Sequence, residues 1–180
     1  MELIACINSI PNTCPDEDYI QTVGLRLGSI SQIIVIKEED HNLACPSSID
    51  IHRIQVTAEF YHVAALVYFH HHVQRLASKH PTIKALVRSA LNLISQMGVC
   101  TSPWPLFVVA CEVTGDAERL QILDTFAGME QHRRIGNISA TRMIVETLWK
   151  QHDLADDDSA RPNIDWRSIV DMKTISPSFI

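Results

Sequence analysis

The chain has 180 residues, of which 46% are hydrophobic and 20% are charged, and this composition argues against disorder over the whole length. Its length and apolar content suit one sizeable core, so we expect one globular unit. The formal net charge is −6. Because proteins hold nucleic acid largely through clustered positive charge, this balance argues against direct DNA binding by these residues.

Residues 1–18 contain Pro11 and Pro15 and indicate an irregular lead-in, so the folded domain is assigned to residues 19–180. Apolar residues at helical spacing predict a first helix over residues 19–36. Residues 51–78 predict a second, long helix that is apolar almost all round in its middle and therefore buried.

The dipeptide His80-Pro81 opens a third predicted helix, which Gly98 ends. The remaining elements are an apolar segment over 103–111, a helix over 116–131, a helix over 138–151 capped by Asn137, an acidic linker over 153–162 and a short helix over 165–172. Sustained alternation of period two is absent from the sequence. We therefore expect an all-α fold, an antiparallel array of about six or seven helices.

The sequence lacks the common signatures of hydrolases, metalloproteases and nucleotide-binding proteins. We therefore predict that the chain is not an enzyme, and we assign no catalytic, cofactor-binding or metal-binding residue. The run His70-His71-His72 does not alter this, because consecutive helical residues point about 100° apart and cannot share one metal ion. We expect these histidines to face solvent at a partly exposed helix end.

The five cysteines form an odd set with irregular gaps, which favours a reducing compartment over a disulfide framework: Cys6, Cys14, Cys45, Cys100 and Cys111. Cys100 and Cys111 lie among apolar residues and are predicted to be buried and inert. Glu112 ends an apolar run, so burial would require a partner, for which Arg142 and Arg133 are the candidates.

Large aromatic residues in a helical array usually fill the core, and this applies to Trp104, Trp149 and Trp166. We expect Trp104, Leu106, Phe107 and Trp149 to be largely buried. The longest apolar runs are far shorter than the roughly 18 residues of a membrane span. No Lys or Arg precedes Arg26, so the charged start of a signal peptide is missing and we expect a soluble intracellular protein.

Several motifs in order carry a resemblance to a known family: AEFYHVAALVYF at residues 58–69, WPLFVVACE at 104–112, GNI at 136–138, VETLW at 145–149 and DW at 165–166. Together they resemble the fungal-specific transcription factor domain of the second type, the regulatory region of zinc-cluster regulators such as those of arginine metabolism. The resemblance covers roughly residues 19–172. Residues 19–180 are thus similar to the carboxyl-terminal part of such a regulatory domain.

The resemblance implies a nuclear regulator of transcription by RNA polymerase II, in some members specific to one pathway. Members of the family usually begin with six cysteines that bind two zinc ions and with a basic stretch that enters DNA. This sequence has neither, so the resemblance implies zinc and DNA binding only through an absent amino-terminal module. An engineered fragment, a truncated gene product and a start codon assigned too late all remain open.

The partners implied are proteins, either a coregulator or a second copy, and a small-molecule effector is a further candidate. Two alternatives stay open at this point. One is a stand-alone partner that dimerises with full-length relatives and modulates them. The other is a small helical enzyme or binding protein.

Overall fold

The computed structural model describes residues 17–30, 48–132 and 136–154, and 86% of this part of the chain is helical. Six helices follow one another along the described ranges: α1 Glu17–Ser29, α2 Ser48–Tyr68, α3 Pro81–Met97, α4 Pro103–Glu112, α5 Asp116–His132 and α6 Gly136–Leu154. No strand occurs in these ranges, so the prediction of an all-α fold is confirmed.

Local stereochemistry sets the ends of α3 where the sequence predicted them. The His80 ring accepts a hydrogen bond from the backbone N–H of Thr82 at 3.2 Å, and Pro81 occupies the first helical position. At the other end Gly98 adopts a φ of +67°, a conformation that costs residues with a Cβ about 1–2 kcal/mol. One face of α3 is buried at Ile83, Val87, Ala90, Ile94 and Met97, whereas Leu86 is only partly buried.

The carboxyl end of α2 differs from the prediction. The helix continues after Tyr68 as a single π-helical turn, Phe69–Val73, in which the N–H of Gln74 donates to the Phe69 carbonyl at 3.1 Å. Arg75 then takes a left-handed conformation with φ +57° and ends the element. The predicted helix over 51–78 was therefore too long at its carboxyl end, because neither feature has a clear signal in the sequence.

The core forms around α4. This short helix packs against α2, α3, α5 and α6, and every residue from Pro105 to Glu112 is buried. Helix α1 lies against the far end of α2, where Val23 and Leu27 contact Ala65 and Phe69. The two helices approach closely at Gly24, since a Cβ added there would be 3.0 Å from the Phe69 ring.

Other predicted boundaries agree to within a few residues or lie outside the described ranges. The predicted helix over 116–131 corresponds to α5 and that over 138–151 to the longer α6. Asn137 is not the cap of α6, because the helix already includes Gly136. The predicted lead-in over residues 1–18 was two residues too long, because α1 already begins at Glu17. Residues 1–16, the end of the predicted first helix, the acidic linker beyond Leu154 and the final helix over 165–172 lie outside the described residues.

Candidate functional site

The residues that connect the core helices meet at the carboxyl end of α4. The indole Nε1 of Trp149 in α6 donates to the Ala110 carbonyl at 2.9 Å, and both groups are buried. The same carbonyl accepts a second hydrogen bond from the N–H of Val113 at 3.3 Å. Both lone pairs of the Ala110 carbonyl oxygen thus accept hydrogen bonds, and α6 is held to the last turn of α4.

A buried polar contact lies two residues further along α4. Nδ1 of His71, in the π-helical turn after α2, is 3.1 Å from Oε2 of Glu112, the last residue of α4. The two side chains are only 10% and 5% exposed. The contact lies at the carboxyl end of α4, where the helix dipole is negative.

Glu112 is buried, and its neighbour is His71 rather than either of the two candidate arginines. Arg142 instead pairs with Glu146 at 2.8 Å and Glu130 at 3.5 Å on the surface, while Arg133 lies outside the described residues. These contacts, the hydrogen bond to Glu146 first, raise the pKa of Arg142. The partner of Glu112 comes from a distant segment, and single-sequence reasoning has no rule that pairs such positions.

The expectation that the three histidines face solvent was wrong for His71. Its neighbours His70 and His72 are half-buried, and the ring of His72 packs against Tyr68 at a centroid distance of 4.6 Å. The signal for His71 was available, because Phe60, Ala64 and Val67 form a buried helical stripe whose next position is 71.

Arg119 joins α5 to the carboxyl end of α6. Its guanidinium donates two hydrogen bonds to Asp153, both at 2.8 Å, and lies 5.3 Å from the centroid of the Trp149 ring. The hydrogen bonds to Asp153 raise the pKa of Arg119 above its usual range. Arg119 therefore packs against the ring of Trp149, the same residue whose indole N–H donates to the Ala110 carbonyl of α4.

Trp104, at the amino end of α4, is partly buried and packs against the core. Its ring stacks on Tyr61 of α2, with ring centroids 6.0 Å apart and planes within 14°. Burial of Leu106, Phe107 and Trp149 is confirmed. Trp166 lies outside the described residues.

The two described cysteines are buried, as predicted, and neither is in a disulfide. Burial raises the pKa of the Cys100 thiol, and a hydrogen bond from Sγ to the Ser102 carbonyl at 3.7 Å offsets this only in part. The sulfur is consequently held as the thiol, which is a poor nucleophile.

What the site can do chemically follows from its burial. The His71–Glu112 contact is nearly inaccessible, so it contributes to packing and position and does not meet a dissolved substrate. Within the described ranges, no group of three His, Cys, Asp or Glu side chains is placed to hold a metal ion. The absence of catalytic, cofactor and metal residues stays a prediction.

On the surface, an open groove lies between the end of α3 and the outer face of α5. Its volume is about 490 Å³, and its lining includes Ile94, Cys100, Leu120 and Gln121.

In the described part of the chain, no helix is both long and apolar enough to cross a membrane.

The described helices thus form an all-α domain around α4, whose residues from Pro105 to Glu112 are buried. The fungal specific transcription factor domain matches residues 8–180, nearly the whole chain, and the chain belongs to this family. The motif WPLFVVACE at residues 104–112 is α4, and VETLW at residues 145–149 is the part of α6 that ends in Trp149.

A curated relative is the transcription factor iacI of Pestalotiopsis fici, 20% identical over 122 residues. The match covers 68% of this chain and 32% of the relative, so the chain spans about a third of that protein's length. No solved structure matches. The family match makes this a transcription factor domain, and the relative is a transcription factor as well.

Proposed function

We propose that the chain is the regulatory domain of a nuclear regulator of RNA polymerase II transcription, and that DNA is read by a zinc-cluster module outside these residues. The family match over residues 8–180 carries this proposal. The short share of the relative that the chain covers supports it, since the rest of such a protein has room for a DNA-binding module.

The net charge of the chain supports the proposal that a separate module binds DNA. A protein that neutralises several phosphates needs a basic face, and the net charge here is −6. Arg119 and Arg142, which project from α5 and α6, are both engaged by carboxylates of the same domain. Regulation would then run through a coregulator, a second copy or a small effector.

A reporter experiment tests the proposal. Residues 1–180 are fused to an unrelated DNA-binding module in a nuclear reporter strain, and the unfused chain serves as the first control. The fusion should change reporter expression, and the unfused chain should not bind specific DNA in a mobility-shift assay.

A matched pair of variants connects the result to the fold. Trp149→Ala removes the buried hydrogen bond to α4, whereas Met143→Ala changes a residue on α6 that is 50% exposed. The first should abolish the effect of the fusion and the second should preserve it. A silent fusion, together with sequence-specific DNA binding by the chain alone, would contradict the proposal.

A further inference from the structure

Helix α1 packs apart from the main core of the domain. Val23 and Leu27 of α1 are buried together with Ala65 and Phe69 of α2, and these four residues form a separate apolar cluster. No residue of α1 belongs to the larger cluster that the other five described helices share. Helix α1 is therefore held to the domain by a contact surface of its own.

A hydrogen bond fixes the carboxyl end of α1 to α2. Nε2 of His62 lies 2.7 Å from the carbonyl oxygen of Leu27, and a carbonyl can only accept, so the imidazole donates from this nitrogen. The bond joins the middle of α2 to the last turn of α1. It thus sets the position of α1 along the apolar contact.

Helix α1 depends on this contact for its helical structure. It has 13 residues, and isolated helices shorter than about 12–15 residues are marginal in water. Gly24 and Gly28 weaken it further, since glycine is a poor helix former. Close approach to Phe69 requires Gly24, but a Cβ at Gly28 would meet no atom within 4 Å. We therefore expect α1 to lose its structure when it leaves α2, as a unit of low local stability.

The surface beneath α1 is apolar. Ala65 and Phe69 are almost completely buried in the docked state, at 0% and 1% exposure. Three partly buried residues pack against the same cluster: Leu66, Val73 and Trp104. Departure of α1 would therefore open an apolar patch at the end of α2 and the π-helical turn. We name this patch, lined by Ala65, Leu66, Phe69, Val73 and Trp104, the α1 site.

Helix α1 itself defines what the α1 site accepts. Its buried side chains, Val23 and Leu27, are four residues apart, the i, i+4 spacing of helices that bind in apolar grooves. Gly24 faces the Phe69 ring, so the residue at that position of a ligand helix must be small. The fitting ligand is an amphipathic helix with an i, i+4 apolar pair and a small residue beside the first member of the pair.

We propose that α1 is a detachable cover, and that the uncovered α1 site binds such an amphipathic helix of a coregulator. The identity of the partner as a coregulator rests on the function proposed above, whereas the detachment of α1 does not. Docked α1 competes with the partner, so the apparent affinity for the partner falls in proportion to the fraction of chains in which the site is open.

Hydrogen exchange followed by mass spectrometry tests the detachment on the full chain. The amides of α1 should exchange at least about tenfold faster than those of α4, because α1 opens while the core stays folded. Gly28→Ala should slow the exchange of α1 by about twofold, since it favours the helix without touching α2. Equal protection of α1 and α4 would show that α1 opens only with the whole domain and would overturn the proposal.

A matched pair of variants separates the contact from the helix. Leu27 is 0% exposed and Leu25 is 69% exposed on the same helix, and glutamine is nearly as good a helix former as leucine. Leu27→Gln should remove the protection of α1 and leave that of α4 within about twofold, whereas Leu25→Gln should change neither. Loss of protection in both helices of Leu27→Gln would place α1 in the core and contradict a detachable cover.

A synthetic peptide of residues 17–30 with a fluorescent label tests the α1 site itself. It should bind the full-length Leu27→Gln chain at least about tenfold more tightly than the wild-type or Leu25→Gln chain, in which α1 occupies the site. A peptide that carries Leu27→Gln should not bind. If the normal peptide bound all three chains equally, or bound none, the α1 site would not be a helix-binding surface.

The reporter fusion connects the α1 site to the coregulator. The Leu27→Gln fusion should change reporter expression at least about twofold more than the Leu25→Gln fusion, because its site is open. Equal expression from two active fusions would refute the role of the α1 site in coregulator binding and leave the proposed function intact. Silent fusions of a chain that passed the exchange and peptide tests would instead refute the proposed function and, with it, the coregulator as partner.

Discussion

The His71–Glu112 contact predicts a rescue of one destabilising substitution by another. His71→Leu removes the cation-forming partner and leaves a carboxylate whose side chain is only 5% exposed, so the free energy of unfolding should fall by about 3–5 kcal/mol. Glu112→Met leaves an imidazole that can stay neutral, which costs about 1–3 kcal/mol. The two losses should not add.

With both substitutions present, the charge and its partner are replaced by apolar groups of similar size. Replacing a buried pair in this way is often neutral or better. The double variant should therefore be more stable than His71→Leu alone by about 2 kcal/mol or more. Urea denaturation followed by circular dichroism measures all four proteins, with the slope checked to be constant.

A surface pair serves as the control. Arg142 and Glu146 are each 35% exposed and lie four residues apart on α6, so their coupling should be only about 0.3–0.5 kcal/mol. If the double variant of His71 and Glu112 lost the full sum of the single losses, the contact would carry no coupling and the reasoning would fail.

Trp149→Phe should lower the free energy of unfolding by about 2 kcal/mol through the lost hydrogen bond and ring volume. Trp104→Phe, at a partly buried stack, should cost about 1 kcal/mol or less in the same denaturation assay. Gly98→Ala should destabilise by about 1–2 kcal/mol because of its positive φ, while Gly28→Ala should stabilise by about 0.5 kcal/mol, since a Cβ at either position meets no atom within 4 Å. Calorimetric midpoints that moved in the same direction would contradict this. Cys100 should react slowly with thiol reagents in the native protein even near pH 9, because burial raises its pKa and blocks access; rapid native labelling would show otherwise.

The boundaries of α3 could be predicted because they depend on residues next to one another. Proline at a helix start and glycine at a helix end act through their own backbone, so His80-Pro81 and Gly98 carry the information locally. The end of α2 depends instead on a change to π-helical hydrogen bonding and on a left-handed Arg75, a residue type with no preference for that conformation.

In the candidate site, too, the burial of single residues could be predicted from the sequence, but the contacts between distant segments could not. Burial of Glu112 followed from the apolar run before it, and burial of His71 could have followed from the stripe of Phe60, Ala64 and Val67. That these two residues meet could not, because their contact depends on how α2 crosses α4. The stack of Trp104 on Tyr61 could not be predicted for a related reason, since it depends on how α4 is placed against α2.

The position of α4 at the centre has a consequence for how the protein is made. Its early partners, α2 and α3, precede it on the chain, but α5 and α6 are translated afterwards. At 5–20 residues per second, the roughly forty residues after Glu112 occupy the ribosome for about 2–8 s. Until α5 and α6 have been made, α4, the most apolar of the six described helices, lacks the partners that cover one of its sides in the folded domain.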